Sequence, residues 1–170
     1  MKQAFGIFAL LLAMGAPAAA QMTPGGGAGM DSMQYYVGTW NCMAGPVGQT
    51  ASKATATYTL NSGLLNETVD VPPSGKMKTA YVGSAATTYD AKNHRYVETW
   101  MGNDNGWSVS YAKPWMMTSP VTEAWADHAN STGTLSRTTV VRTDQNHFAF
   151  SGYPSIMSTK ANFKGSCTRA

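Results

Sequence analysis

Three glutamates and one arginine lie at alternating positions among aromatic and β-branched residues. On an extended strand every second side chain points to the same face, so these charges would share a face with large apolar neighbours. A buried carboxylate must find a partner, or its pKa rises until it is neutral. A carboxylate without a partner that faces a cavity marks a ligand site. The four predicted faces are Leu65-Glu67-Val69-Val71, Tyr96-Glu98-Trp100, Val121-Glu123-Trp125-Asp127 and Leu135-Arg137-Thr139-Val141.

If all four faces turn inward, one cavity carries both charged and aromatic side chains. Such a cavity suits a polar or amine-bearing small molecule better than a fatty acid. The alternative is that the aromatic stripes form a filled core while the charges lie at the rim, pair with one another or face solvent. The predicted ligand-binding residues are Glu67, Tyr96, Glu98, Trp100, Glu123, Trp125 and Arg137.

Enzyme and metal chemistry have little support in the sequence. Glu98 and Glu123 would act as general acid and base if they lie close together, but there is no GxSxG elbow and no glycine-rich phosphate loop. His94, His128 and His147 lack the spacing of a zinc site, and no motif selects one of them as a haem ligand. Methionine thioethers suit copper(I), but methionine also fills gaps in cores. We therefore predict no cofactor and no metal.

The spacing of strand and turn signals indicates how these faces are positioned. Threonine, valine and aromatic residues recur in short runs between turn-forming residues, and no segment has a long helical period. Short loops imply antiparallel neighbours in a barrel or a sandwich, and a closed barrel has no exposed edges. Ten strands are predicted, at 36–44, 51–60, 64–71, 77–89, 94–101, 106–112, 121–128, 134–143, 146–153 and 161–169.

We therefore predict an all-β fold, a single antiparallel up-and-down β-barrel of about ten strands. A short helical turn is expected before the first strand, at residues 31–35. Asp31 or Ser32 could cap this turn, and Met33 and Tyr36 would pack beneath it.

Residues 1–33 have the composition of an export signal followed by a linker. Lys2 precedes an apolar run that ends at Met14, and small residues follow up to Ala20. This pattern predicts a signal peptide over residues 1–20, cleaved near Ala20, a flexible glycine-rich leader over 21–33 and a barrel domain over 34–170. The apolar run is too short for a transmembrane segment. The mature protein is expected to be periplasmic or secreted.

The charge balance excludes some partners. The chain has 12 basic and 9 acidic residues, which gives a formal net charge of +3. These charges are scattered along the sequence, so they do not indicate binding to nucleic acid or to an anionic membrane surface. A small molecule is the partner that the sequence allows, and the oligomeric state stays open.

Two cysteines, Cys42 and Cys167, lie at opposite ends of the barrel domain. In an exported chain an even pair predicts a disulfide. If the first and last strands pair with the two cysteines directly opposite, Trp40 lies opposite Arg169 on the same face. The guanidinium would then stack on the indole and close one end of the barrel. An offset of two residues would keep the face and change the partner.

The same residues, taken in order, carry a resemblance to known barrels. Gly38-Thr39-Trp40 on the first strand and a basic residue on the last are similar to the lipocalin-type calycin barrels. The longer pattern resembles a family of small exported bacterial domains without assigned function. This resemblance spans residues 33–169 and implies a barrel with an interior cavity, but no activity. Its residues are VGTW-x-C, Tyr89-Asp90, Arg95-Tyr96, Trp100, Gly106-Trp107 and the final Cys-Thr-Arg.

The leading prediction is an exported small-molecule-binding β-barrel with a polar or amphipathic ligand. One alternative is a non-enzymatic interaction or assembly module whose core is filled. Another is an enzyme, an isomerase or a hydrolase, that uses a cavity carboxylate. The segment Pro114-Trp115-Met116-Met117 is predicted to be either a rim or lid of the cavity or an apolar plug at one barrel end.

Overall fold

Antiparallel strands form a closed barrel in the computed structural model, which describes residues 29–75, 77–113 and 121–170. Each strand pairs with its sequence neighbours, and the first pairs with the last. The predicted all-β, up-and-down barrel is therefore confirmed. The strands in the described ranges are β1 (Gly38–Pro46), β2 (Ser52–Asn61), β3 (Leu64–Val71), β4 (Tyr81–Asp90), β5 (Arg95–Gly102), β6 (Trp107–Ala112), β7 (Val121–Asn130), β8 (Arg137–Asp144), β9 (His147–Tyr153) and β10 (Phe163–Arg169).

The seam between β1 and β10 closes the barrel. Cys42 lies opposite Cys167 and Trp40 lies opposite Arg169, and the two cysteines form a disulfide. Both cysteines point into the barrel, since they lie on the same face as the fully buried Trp40. The covalent bond therefore joins the two ends of the sheet from the inside.

A short 3-10 helix, Met30–Tyr35, covers one end of the barrel. Met33 and Tyr36 are buried beneath it, together with Trp40. No side chain caps this helix, so the predicted cap at Asp31 or Ser32 is wrong. The Ser32 hydroxyl instead donates to the carbonyl oxygen of Gly29. No helix within the described ranges is long and apolar enough to span a membrane.

The buried core is concentrated at this covered end. Aromatic rings from the helix and from the adjacent strands pack edge to face, with Phe148 between Tyr36 and Trp40 at centroid distances of 5.5 and 4.8 Å. Among the described residues, the opposite half of the barrel interior has no such cluster of buried rings. Pro114-Trp115-Met116-Met117 lies outside the described residues, so its predicted role stays a prediction.

Candidate functional site

A cavity of about 1030 Å³ extends through the barrel interior. It reaches from Met33 and Tyr36 at the covered end to the loops at the opposite end, where Asp104, Thr132 and Asn162 line it. All ten strands contribute wall residues. A volume of this size is at the upper end of the range for small-molecule sites.

Among the described residues, the ionisable side chains of the cavity wall, tyrosine and cysteine aside, are all acidic. Five acidic side chains line it, and none of the described wall residues is lysine, arginine or histidine. Within residues 29–75, 77–113 and 121–170, no three histidine, cysteine or acidic side chains are placed to hold a metal ion. The acidic wall residues are Glu67, Glu98, Asp104, Glu123 and Asp127.

Glu67 and Glu98 face the middle of the cavity from β3 and β5. The Tyr58 hydroxyl donates to Oε1 of Glu67 at 2.7 Å, and the Thr87 hydroxyl donates to Oε2 of Glu98 at 3.3 Å. The second oxygen of each carboxyl group has no hydrogen-bond donor among the described residues. These two oxygens are therefore available to a ligand.

Burial changes the acidity of both side chains. It raises the pKa of Glu67 from 4.5 to about 7, against the hydrogen bond from Tyr58. It also raises the pKa of Glu98 to about 8, and repulsion from Glu67 adds to this effect. Both side chains are half-buried, with part of their surface accessible.

Glu123 has a different environment, at the covered end. Arg142 on β8 donates from Nε to Oε1 of Glu123 at 3.4 Å, and both side chains are buried. The Tyr36 hydroxyl donates to the same oxygen, and Nε1 of Trp125 donates to Oε2 at 3.0 Å. Burial still raises the pKa of Glu123, although these partners oppose it. Both oxygens of Glu123 are thus bound within the protein.

Arg142 extends this network to the N-terminal helix. Its guanidinium lies 4.1 Å from the ring centre of Tyr35 and 4.8 Å from that of Tyr36, and it donates to the carbonyl oxygen of Ser32 at 3.0 Å. The buried pair therefore holds the helix against the barrel end.

Asp127 lies towards the end opposite the N-terminal helix and accepts several hydrogen bonds. Burial raises its pKa, but hydrogen bonds from Ser136, Asn130 and Ser110 outweigh this and hold the pKa below its usual range. The Ser110 hydroxyl donates at 2.8 Å, and Ser110 lies opposite Glu98 in the β5–β6 pairing. Asp127 is therefore an ionised carboxylate, and Ser110 lies between it and the protonatable Glu98.

Two aromatic side chains pack directly against glycines in the wall. A Cβ atom at Gly83 would lie 2.1 Å from the indole of Trp100, and one at Gly165 would lie 2.3 Å from the ring of Phe150. Nε1 of Trp100 donates to the Tyr81 hydroxyl at 3.2 Å. The absence of a side chain at each glycine lets the ring recede into the wall and leaves the cavity open.

The structure places five of the predicted ligand-binding residues on the cavity wall. Two predicted residues lie elsewhere. Tyr96 is buried under the N-terminal helix, where its hydroxyl donates to the carbonyl oxygen of Gly29 at 2.8 Å, so it belongs to the floor of the barrel. The residues on the wall are Glu67, Glu98, Trp100, Glu123 and Trp125.

The predicted inward position of Arg137 is wrong. Its neighbour Thr138 faces the cavity, so Arg137 points outward. There its guanidinium lies 3.7 Å from the ring centre of Tyr153 and donates to the carbonyl oxygen of Ser158 at 2.9 Å. The prediction turned Arg137 and Thr139 inward, whereas Thr138 and Val140 line the cavity, so the predicted face of β8 is the wrong one. The cavity consequently lacks the cation that the sequence prediction gave it.

Comparisons with known proteins give fold-level likeness only. No family model matches the chain, and no curated protein matches it in sequence. Among solved structures, a redesigned beta barrel is similar, with a TM-score of 0.46 and 11% identity, covering 81% of this chain and 93% of that one. The protein EF1p2_mFAP2b bound to DFHBI is also similar, with a TM-score of 0.41, 13% identity and coverage of 81% and 96%. The fold assignment itself rests on the strand pairing described above.

Proposed function

We propose that the protein is an exported carrier, of the calycin type, that binds a polar or amphipathic small molecule inside its barrel. The cavity of about 1030 Å³ is the observation that carries this proposal. A module with a filled core would need no such space, since protein interiors are normally packed without large voids. The cavity therefore favours binding over a purely structural role.

The chemistry of the wall supports the same function. Removing a carboxyl oxygen from water is costly unless a donor replaces the water, and the second oxygens of Glu67 and Glu98 have no donor among the described residues. A ligand that donates hydrogen bonds to them would remove this cost. Apolar wall residues such as Leu65 and Val140 provide contact for the rest of the molecule. Export, as the N-terminal pattern predicts, would place the carrier outside the cytoplasm.

Native mass spectrometry tests this proposal. The protein would be purified from the exported fraction of its own host and measured under native and denaturing conditions. We expect an additional mass that is lost on denaturation. Ala54→Phe fills the cavity from the inner face of β2 and should abolish the adduct, whereas Thr55→Phe, on the outer face of the same strand, should keep it. An unliganded mass in the wild type, together with no response to added small molecules, would refute the carrier.

One observation favours an enzyme as the second candidate. The pKa of Glu98 is raised and that of Asp127 is lowered, and Ser110 lies between them. Carboxyl groups whose pKa values are driven apart are suited to act as general acid and general base. If the protein is an enzyme, the molecule identified by mass spectrometry should be converted by the wild type. Glu98→Gln should bind that molecule without converting it.

A further inference from the structure

From the cavity geometry we infer that the ligand is an organic cation with a flat apolar body, held by the carboxylates of Glu67 and Glu98 against the indole of Trp100. This inference rests on the proposed carrier function and specifies its ligand class. It depends on three features of the wall, namely its charge, the unsatisfied carboxylate oxygens and the seating of the aromatic rings.

The charges of the wall favour a cation. Glu123 is already paired with Arg142, and Asp127 accepts hydrogen bonds from Ser136, Asn130 and Ser110. Glu67 and Glu98 have no basic neighbour among the described wall residues. An anionic ligand would add like charge to this interior, whereas a cation would relieve the repulsion between the two glutamates.

The free oxygens indicate where the cationic group lies. Tyr58 and Thr87 each donate to one oxygen of a glutamate that lines the cavity, and the other oxygen of each has no donor among the described residues. These acceptors lie on β3 and β5, the two neighbours of β4, and Glu67 is near enough to repel Glu98. An ammonium group carries several donors and suits a pair of acceptors. A charge-assisted hydrogen bond of this kind is stronger than one between neutral groups.

The aromatic side chains indicate the shape of the ligand body. Trp100 lines the cavity with its indole packed on Gly83, and none of the described aromatic rings stacks on it. Phe150 on β9, set on Gly165, lies across the barrel from Trp100 on β5, since these strands are four places apart in the ring of ten. Flat apolar groups and cations both bind favourably to such ring faces.

Three probes of similar shape but different charge distinguish recognition of charge from simple filling of the cavity. 1-Naphthylmethylamine carries a positive charge at about pH 8, 1-naphthalenemethanol is neutral and 1-naphthoate is negative. Binding to the full mature protein would be measured by isothermal titration calorimetry. We expect the amine to bind at least about tenfold more tightly than the alcohol, a ratio equivalent to about 1.4 kcal/mol, and the carboxylate not to bind.

Variants assign this preference to residues. Glu98→Gln and Glu67→Gln should each weaken amine binding roughly tenfold and leave alcohol binding within about twofold, because a charged partner is lost but the shape is kept. Trp100→Leu should weaken both probes. Asp70→Asn is the control, since Asp70 is exposed on the outer face of β3. Urea unfolding of each variant would verify that it is folded.

The outcomes separate the inference from the function on which it rests. Equal binding of amine and alcohol, unchanged by Glu98→Gln, would overturn the cationic ligand but leave the carrier intact. Failure of all three probes would also overturn the inference. The proposed carrier function would be refuted only if native mass spectrometry also showed that the purified protein holds no ligand.

Discussion

The guanidinium of Arg169 lies 4.3 Å from the ring centre of Trp40, where β10 meets β1. The same guanidinium donates to the carbonyl oxygens of Tyr35 at 2.7 Å and Val37 at 2.8 Å. One side chain thus joins the last strand, the first strand and the end of the N-terminal helix. Because the cavity floor is built on that helix, this contact also supports the site.

Arg169→Ala should destabilise the protein by roughly 2–4 kcal/mol, because it removes a cation–π contact and leaves three carbonyl oxygens without this donor. The midpoint of urea unfolding measures this effect. Arg137→Ala is the matched control, since Arg137 also stacks on one ring and bonds one carbonyl, but on the outer surface. We expect the control to cost about 1 kcal/mol or less. Equal losses in the two variants would contradict a closing role for Arg169.

The closure of the barrel could be predicted from the sequence because one pair of residues determines the register. Once Cys42 is placed opposite Cys167, antiparallel geometry sets Trp40 opposite Arg169, and the structure has this pairing. Strand number and direction follow from turn residues and short loops. These are local signals, so they can be read without knowledge of the tertiary structure.

The face of β8 could not be predicted in this way. Thr138, Thr139, Val140 and Val141 are all β-branched, so both faces of the strand look alike in the sequence. Pairing with β7 decides between them, because Glu123 lies opposite Val140. Likewise, nothing in the sequence brings Gly83 to Trp100, since they meet only through the β4–β5 pairing.

The free energy of unfolding should fall as the pH rises from about 4.5 to about 8. Glu67 and Glu98 have folded-state pKa values of about 7 and about 8, above their ordinary value of 4.5. Between these values the folded protein binds more protons than the unfolded chain, so raising the pH favours unfolding. The double variant Glu67→Gln with Glu98→Gln should show a flatter profile when urea midpoints are measured between about pH 5 and pH 8.

Three aspartates act in a different pH window. The pKa values of Asp90, Asp127 and Asp144 lie below the ordinary value of 3.8. The stability that they contribute is therefore present above pH 3.8 and is lost as the pH falls below that value. Asp70→Asn, on the outer wall, serves as the control for the double variant. A wild-type profile that is already flat between about pH 5 and pH 8 would contradict the buried location of the two glutamates.

Gly83→Ala should displace Trp100 from the wall, because the new Cβ would lie 2.1 Å from one indole atom and 2.5 Å from another. We expect a loss of roughly 1–3 kcal/mol in the free energy of unfolding, typical of overpacking. The loss should be smaller in a Trp100→Leu background, where the clash is absent. Gly152→Ala is the control, since its Cβ would meet Phe163 at 3.3 Å. Equal costs of Gly83→Ala in both backgrounds would show that the indole does not depend on this glycine.

Glu123 and Arg142 should behave as one energetic unit. Glu123→Gln leaves a buried guanidinium without its counter-charge, and Arg142→Met leaves a buried carboxylate, so each single variant should lose roughly 3–5 kcal/mol. The double variant should lose less than the sum, because it leaves neither charge unpaired. Urea unfolding of the wild type, the two single variants and the double variant gives the double-mutant cycle. Since Arg142 also bonds Ser32 and stacks on Tyr35, the single variants should in addition increase amide hydrogen exchange in the N-terminal helix. Strictly additive losses, with unchanged exchange, would show that the pair does not hold this helix on the barrel.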